Sequence, residues 1–463
     1  SDLGAKVYAC SDEQIETYVK EFGKKENELD NVYAEIGTLT SNEAKCKVSL
    51  NALFGRHCAV VGTTGGGKSW TVAKLMESIM KETDNKVILI DATGEYEKLN
   101  GKTLIFGNDS FFHFSSLTVN DLMILLKPGG QVQAPKLLEA IKSLKVFRVL
   151  GEMVGKDEDI EKSENGYTIK INQDTKEEIR VNNGTIIKQN QLTRPFNRLY
   201  SKYINEIDKQ DADFDIKKLD IQLVNECIWE TDPNKWGARQ DTQLNHCVSL
   251  ILRTRSLIGN SDFSNLFGFN KQRDDQNEIT NSLENYFQGQ EQLLRLSFNN
   301  VTPDFQVREI LVNAIGQLML RKALAGDFKL IPVVIFMDEA HRYLNKNVKD
   351  EYFEAKPLDA FDLIAKECRK YGLFLCLATQ MPRDIPIGTL SQMGTFIVHR
   401  LINEQDKKAI ENAASSANRS ALSFLPILGE GEALLVGVDF PMPLLVQVNA
   451  PDNKPESNTP RLK

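Results

Sequence analysis

The chain has 463 residues, 41% of them hydrophobic, and its 64 acidic side chains outnumber 56 basic ones to give a formal charge of −8. A chain of this length and apolar content buries a substantial core in two or three lobes, and its acidic balance excludes a broadly basic surface that coats nucleic acid. No apolar run reaches the length of a membrane span, no signal peptide opens the chain, and the seven cysteines have no Cys-x-x-Cys spacing, which points to reduced thiols in a cytoplasmic protein.

Glu13 to Glu28 reads as a charged helix, with short β segments at Val7-Tyr8-Ala9 and Asn31 to Leu39. The apolar strand Cys58-Ala59-Val60-Val61 then runs into Gly62-Thr63-Thr64-Gly65-Gly66-Gly67-Lys68-Ser69, a complete G-x-x-x-x-G-K-[ST] phosphate loop. Three consecutive glycines let the backbone curl with its amides pointing inward, where no Cβ obstructs a triphosphate. The amphipathic helix that follows, Trp70 to Lys81, adds its positive N-terminal end. Gly62 to Trp70 are therefore the expected nucleotide-binding residues, with Lys68 on the β- and γ-phosphates of ATP and the Ser69 hydroxyl on Mg²⁺.

Lys86 to Ala92 is the next apolar strand, and it carries Asp91 near its end. Residues 93 to 330 exceed what a βαβ crossover needs, so they must form structure of their own. Within them Lys136 to Leu150, Leu192 to Ile207, Thr242 to Ile258 and Val307 to Ala325 have helical apolar spacing. Gly166 to Asn172 and Glu178 to Gln189 alternate like strands, Asn182-Asn183-Gly184 is a hairpin-turn signal, and Gln292 to Phe298 is an apolar strand. Val333 to Met337 reads as a buried strand ending in Asp338 and Glu339. The spacing suits Asp338 as the carboxylate that orients Mg²⁺ and Glu339 as the base that polarises an attacking water. Gly372 to Gln380 and Thr395 to Leu401 complete one mainly parallel sheet, with the first reached through a helical stretch. Ligands of such sheets sit outside the strands' carboxyl ends, which aligns the phosphate loop, Asp91, Asp338, Glu339 and Gln380 along one edge. Gln380 is placed either to sense the γ-phosphate or as an ordinary loop amide. His341, beside the acids, reads as a structural or coupling residue rather than a metal ligand. The tail after Ala450, rich in Pro, Asn and Ser, reads as disordered.

The chain resembles the HerA-type ATPases, within the wider HerA and FtsK group. The residues that carry the likeness are Ile36 to Leu39, Val48 to Leu50, Arg56 to Ser69, Asp91 to Tyr96, Met337 to Arg342, Arg369 to Gly372, Ala378 to Gln380 and Gly431 to Gly437, in the family's order. The resemblance implies a homo-hexameric ring of RecA-like P-loop cores, with nucleotide between neighbours and double-stranded DNA in the central channel. It further implies that a neighbour supplies a cation to each site, for which Arg56 and Arg369 match the family positions, with Arg383 and Arg400 as fallbacks. Residues 1–50 would be a reduced, barrel-like N-terminal segment, since the phosphate loop begins at Gly62 and leaves little chain for the family's N-terminal β-barrel. Residues 51–107 and 291–450 would form the α/β core, 108–290 a mostly helical insertion and 451–463 a flexible tail.

Two functions follow from the resemblance. One is an ATP-driven translocase on double-stranded DNA that works with a nuclease or other effector encoded nearby, in DNA end processing or defence against phage. The other is a hexameric scaffold in which nucleotide switches an effector with little translocation. Lys142, Lys145, Arg253 and Arg255 on the insertion, and Lys98, Lys102 and Arg383 on loops of the core, read either as DNA contacts or as basic faces kept for solubility.

Overall fold

The computed structural model describes residues 10–21, 32–41, 44–302, 306–344, 358–414 and 419–456. The strands of its main sheet are β1 (Tyr33–Leu39), β2 (Lys45–Ser49), β3 (Cys58–Val61), β4 (Lys86–Asp91) and β5 (Lys102–Ile105). An insertion contributes β6 (Ile160–Ser163), β7 (Gly166–Lys170), β8 (Lys176–Asn182) and β9 (Thr185–Ile186). The main sheet resumes with β10 (Leu293–Ser297), β11 (Val333–Met337), β12 (Leu373–Thr379), β13 (Thr395–Val398), β14 (Glu432–Gly437) and β15 (Phe440–Val448).

Eleven strands run in the order β2-β1-β15-β14-β13-β3-β12-β11-β4-β10-β5. Every pairing from β13 to β5 is parallel. Beyond β13 the pairings turn antiparallel, and β14, β15, β1 and β2 extend the sheet on that side. The segment expected to be a reduced barrel thus supplies an edge of the main sheet. The central strands read as continuous apolar runs because both of their faces are covered. Successive side chains point to opposite faces: Ala59, Val61, Ile88, Ile90, Ile335 and Met337 join the core on one side, and Cys58, Val60, Val87, Leu89, Val334 and Phe336 the core on the other. Each such Val, Leu, Ile, Phe or Met side chain stabilises the fold by about 1.5–3 kcal/mol relative to exposure.

Between β5 and β10 lie the long helices Gly130–Met153 and Asp241–Gly259, several shorter ones and the four-stranded sheet β6-β7-β8-β9. That sheet buries Ile160, Ile169 and Ile179 against Val146, Val149 and Leu150 of the first long helix. Its β8–β9 turn is the one marked by Asn182-Asn183-Gly184, with Asn183 at φ 47° and Gly184 at φ 79°, the left-handed pair that a two-residue hairpin requires. The helix expected over Leu192 to Ile207 is instead two, Arg194–Lys202 and Ile204–Ile207, joined at Tyr203. The charged N-terminal helix runs Asp12–Glu21, and the remainder of the stretch to Glu28, like Val7-Tyr8-Ala9, lies outside the described residues.

The tail expected to be flexible is anchored as far as it is described. Asp452 and Asn453 donate their backbone N–H groups to the Glu77 carboxylate at 2.9 and 2.8 Å, Glu456 N–H donates to the Glu95 carbonyl at 2.7 Å, and Pro451 and Pro455 are buried. Its polar composition conceals these anchors, which reach residues far back in the chain. Among the described residues no helix is long and apolar enough to cross a membrane.

Candidate nucleotide site

The phosphate loop joins the fully buried β3 to the helix Lys68–Glu82 at the carboxyl edge of the sheet. Gly65 and Gly67 take φ of 75° and 104°, open to glycine and strained for other residues. At Gly67 the space is also taken, since a Cβ would lie 3.0 Å from the Gly431 Cα in the loop before β14. Lys68 is buried, its Nζ 3.5 Å from the Thr63 carbonyl, and desolvation lowers its pKa while Glu339, Asp338 and Glu95 oppose that shift.

Asp338 and Glu339 follow β11 and are both buried. Burial and the neighbouring Glu339, Asp91 and Glu95 push the Asp338 carboxyl well above the usual range, and Lys68 pulls it back. Thr93 Oγ1 donates to Asp338 Oδ2 at 3.4 Å. Glu339 sits in the left-handed region at φ 49°. Its Oε1 accepts from Gln380 Nε2 at 2.5 Å, while Oε2 has no hydrogen-bond partner among the described residues. His341 Nδ1 comes within 3.3 Å of Oε2, but burial disfavours the imidazolium and the ring's partner is Thr379 Oγ1 at 3.1 Å. Gln380 Oε1 in turn accepts from Thr64 Oγ1 at 2.6 Å, so one amide connects the phosphate loop to the buried acid.

Lys68, Glu339 and Gln380 line a cleft open to solvent, together with Thr64, Gly65, Gly67, Ser69 and Trp70. Gly62, Thr63 and Gly66 support the loop from behind. A Cβ on Gly62 would meet the His399 Cβ at 2.6 Å, Thr63 N–H and Oγ1 both donate to the Arg400 carbonyl, and the Gly66 carbonyl accepts from Gly431 N–H at 3.3 Å. Ser69 Oγ donates to Glu95 Oε2 at 2.9 Å. A hydroxyl beside crowded carboxylates is a hard-oxygen donor set. Among the described residues there is no cluster of three His, Cys, Asp or Glu side chains that could hold a metal. The Ser69 hydroxyl and the Asp338 carboxyl are oxygens of the kind that Mg²⁺ takes one or two at a time, completing its shell with phosphates and water.

Several site residues escape the motif reading. Glu95 and Gly431 lie in stretches that carry the resemblance, yet their roles appear only in space. His399 is buried after β13, with Nδ1 2.9 Å from the Glu432 carbonyl and Nε2 2.8 Å from Thr71 Oγ1, and burial lowers its pKa to about 4. The neutral ring therefore donates through Nδ1 and accepts from Thr71, fixing the loop helix to β14. Asp91 forms a buried ion pair with Arg295 of β10 at 2.7 Å and accepts from the Thr93 and Gly94 N–H groups.

Arg56 and Arg369 lie at the other edge of the sheet. Arg56 precedes β3 and Arg369 precedes β12, and both line one cleft with Lys366 and Gly394. The four residues of β3 separate that edge from the chain's own phosphate loop by roughly 13 Å. Arg383 is engaged by Asp406 at 2.8 Å and Lys98 by Glu456 at 2.7 Å. On the insertion, Arg253 donates to the Leu126 and Lys127 carbonyls, Arg255 pairs with Asp220, Lys142 lies over the Tyr200 ring, and Lys145 is buried against the Lys209 carbonyl. Lys102 lies half-buried on the edge strand β5.

A mainly parallel sheet with a phosphate loop and two buried acids at its carboxyl edge defines a RecA-like P-loop ATPase. Family models described as the central domain of helicase HerA and the HerA-like helicase C-terminal domain match residues 34–253 and 301–457. The chain belongs to the HerA-type ATPases. It is 24% identical to the DNA double-strand break repair helicase HerA of Sulfurisphaera tokodaii, over 94% of this chain and 74% of that protein. It is 24% identical to a probable helicase of Methanocaldococcus jannaschii, over 90% of this chain and 71% of that one. Its fold is similar to that of VirB4 of Thermoanaerobacter pseudethanolicus, with a TM-score of 0.52 at 12% identity, covering 92% of this chain and 98% of the other.

Proposed function

We propose that this protein hydrolyses Mg²⁺-bound ATP as a homo-hexamer and uses the cycle to move along double-stranded DNA, together with a nuclease or other effector encoded nearby. The observation that carries the hydrolytic reading is the chain of contacts Thr64–Gln380–Glu339 beside Lys68. It leaves a buried carboxylate oxygen, Glu339 Oε2, without a hydrogen-bond partner among the described residues, next to the phosphate loop. In this reading Lys68 and the loop amides hold the triphosphate, and Ser69 and Asp338 hold Mg²⁺, which neutralises charge on the phosphates. Glu339 Oε2 accepts a proton from the attacking water. Gln380 reports the state of the γ-phosphate to both the loop and the base.

Arg56 and Arg369 lie too far from the chain's own loop to act there, which supports a role in a neighbour's site, where they would stabilise charge on the transferring phosphoryl group. The DNA reading rests on the family and on relatives named as helicases. A role in DNA end processing or anti-phage defence belongs to the same proposal. The alternative is a nucleotide-switched scaffold, which the intact hydrolytic set disfavours.

Two measurements test this. Glu339→Gln should retain ATP binding and lose turnover by about three orders of magnitude or more, and near-normal turnover would remove Glu339 as the base. Turnover of the unmodified protein should rise on addition of duplex DNA, whereas indifference to DNA would favour the scaffold.

A further inference from the structure

We propose that the outer half of the cleft is an adenine site in which Gln447 reads the base and Trp70 walls it, held in place by the strap that follows β15. The inference rests on reading the cleft as an ATP site. With the γ-phosphate directed at Glu339 and Gln380, a triphosphate along the loop must send its nucleoside the opposite way. The same cleft is also lined by Trp70, Glu430, Gly431, Gln447 and Val448, and β14 and β15, which carry or adjoin the last four, lie on the other side of β3 from the strands that lead to Glu339 and Gln380.

Gln447 lies on β15 between Glu432 of β14 and Thr38 of β1, so strands on both sides fix its backbone. Its Nε2 donates to the Glu430 carbonyl at 3.4 Å. That contact orients the amide and leaves Oε1 as an acceptor and the second N–H as a donor. Adenine presents the matching pair, an exocyclic amino donor beside a ring-nitrogen acceptor. Guanine presents a carbonyl at the amino position, which would face Oε1 acceptor to acceptor. Gly431 at φ 77° leaves room for this amide, since a Cβ there would lie 2.6 Å from Nε2.

The wall is held from outside. Lys454 Nζ lies 5.2 Å from the centre of the Trp70 ring, and the strap that carries it is tied to Glu77 on one side and to the Glu95 carbonyl on the other. Glu95 is also the acid that holds the Ser69 hydroxyl, so the strap is tied to a residue that lines the cleft.

The test is calorimetric titration of the full chain with ATP, GTP and inorganic tripolyphosphate. Wild type should prefer ATP to GTP, and Gln447→Leu should lose about ten-fold in ATP affinity while keeping its affinity for GTP and tripolyphosphate. Equal affinity of wild type for ATP and GTP, or an unchanged ATP-to-GTP ratio in Gln447→Leu, would overturn the proposal. If Gln447→Leu loses tripolyphosphate as well, its fold is disturbed and Trp70→Leu decides. That variant should weaken ATP and GTP alike while sparing tripolyphosphate, and unchanged nucleotide affinity would again overturn the proposal. Failure of the ATP-site reading is distinct: no binding of tripolyphosphate or ATP by wild type, or binding that Lys68→Ala leaves unchanged.

Discussion

His57 shows how a single side chain sets the shape of the arginine edge. It takes φ 61°, is buried, accepts the Leu375 N–H at Nδ1 and donates through Nε2 to the Ala365 carbonyl, both at 3.0 Å. It therefore joins the approach to β3, which carries Arg56, to β12 and to the helix Ala360–Glu367 that leads to Arg369. Burial lowers its pKa to about 4, with the Arg369 charge acting in the same direction and the Ala365 contact opposing it. Because the folded pKa lies below the unfolded value of about 6.5, the unfolded state takes up the proton first as pH falls. The contribution of His57 is fully present above about pH 6.5 and is lost progressively down to about pH 4, a span of about 3 kcal/mol. Denaturant unfolding across this range should show a shallower loss of stability in His57→Gln than in wild type. Parallel curves would mean that His57 is not held neutral.

At the scale of strands and loops, the acid edge depends on a pair that touches no phosphate. Asp91 at the end of β4 and Arg295 in β10 are 0% and 4% exposed at their side chains, which leaves neither an aqueous refuge. Arg295→Met should destabilise the fold by about 3–5 kcal/mol, because it strands a buried carboxylate. It should also slow turnover, since Asp91 shapes the Thr93–Gly94 turn whose hydroxyl reaches Asp338. Unfolding midpoints within error of wild type would remove the pair from this role. The sequence makes the parallel strands legible, since β3, β4, β11 and β12 are apolar on both faces and run into glycine, acid or, after β12, the amide Gln380. It makes the phosphate loop and the two acids legible because their spacing is local. The Asp91–Arg295 pair, the His399 strut and the Gly431–Gly67 contact join positions far apart in the chain, and no periodicity encodes them. The antiparallel extension β14-β15-β1-β2 lengthens the sheet by pairing β1, early in the sequence, with β15, late in it, a pairing that strand patterns alone do not specify. The strap after β15 escapes for the same reason and one more, since backbone N–H groups rather than side chains tie it to distant Glu77 and Glu95.

Across the whole molecule, the nucleotide cleft and the Arg56–Arg369 cleft occupy opposite edges of one sheet, and in the proposed mechanism one subunit's arginines complete another's nucleotide site. Two copies set edge to edge would satisfy both, and such a head-to-tail contact closes into a ring when its rotation permits. Exposed apolar residues occur toward both edges, Ile402, Phe424 and Ile427 beyond the carboxyl end of β13, and Ile387 and Val438 toward the arginines. Burying them between subunits would relieve their exposure to water. This arrangement predicts complementation between two inactive proteins. Arg369→Ala subunits keep Glu339 but cannot serve a neighbour, whereas Glu339→Gln subunits keep the arginine but cannot activate water. Mixed and reassembled, they form some interfaces where an intact arginine faces an intact base. Turnover should recover to a fraction set by the mixing ratio, rise as the two approach equal amounts, and vanish in either protein alone. Recovery that is absent at every ratio, with assembly of mixed rings verified by mass, would place Arg369 outside the neighbour's site and return its cleft to a structural role.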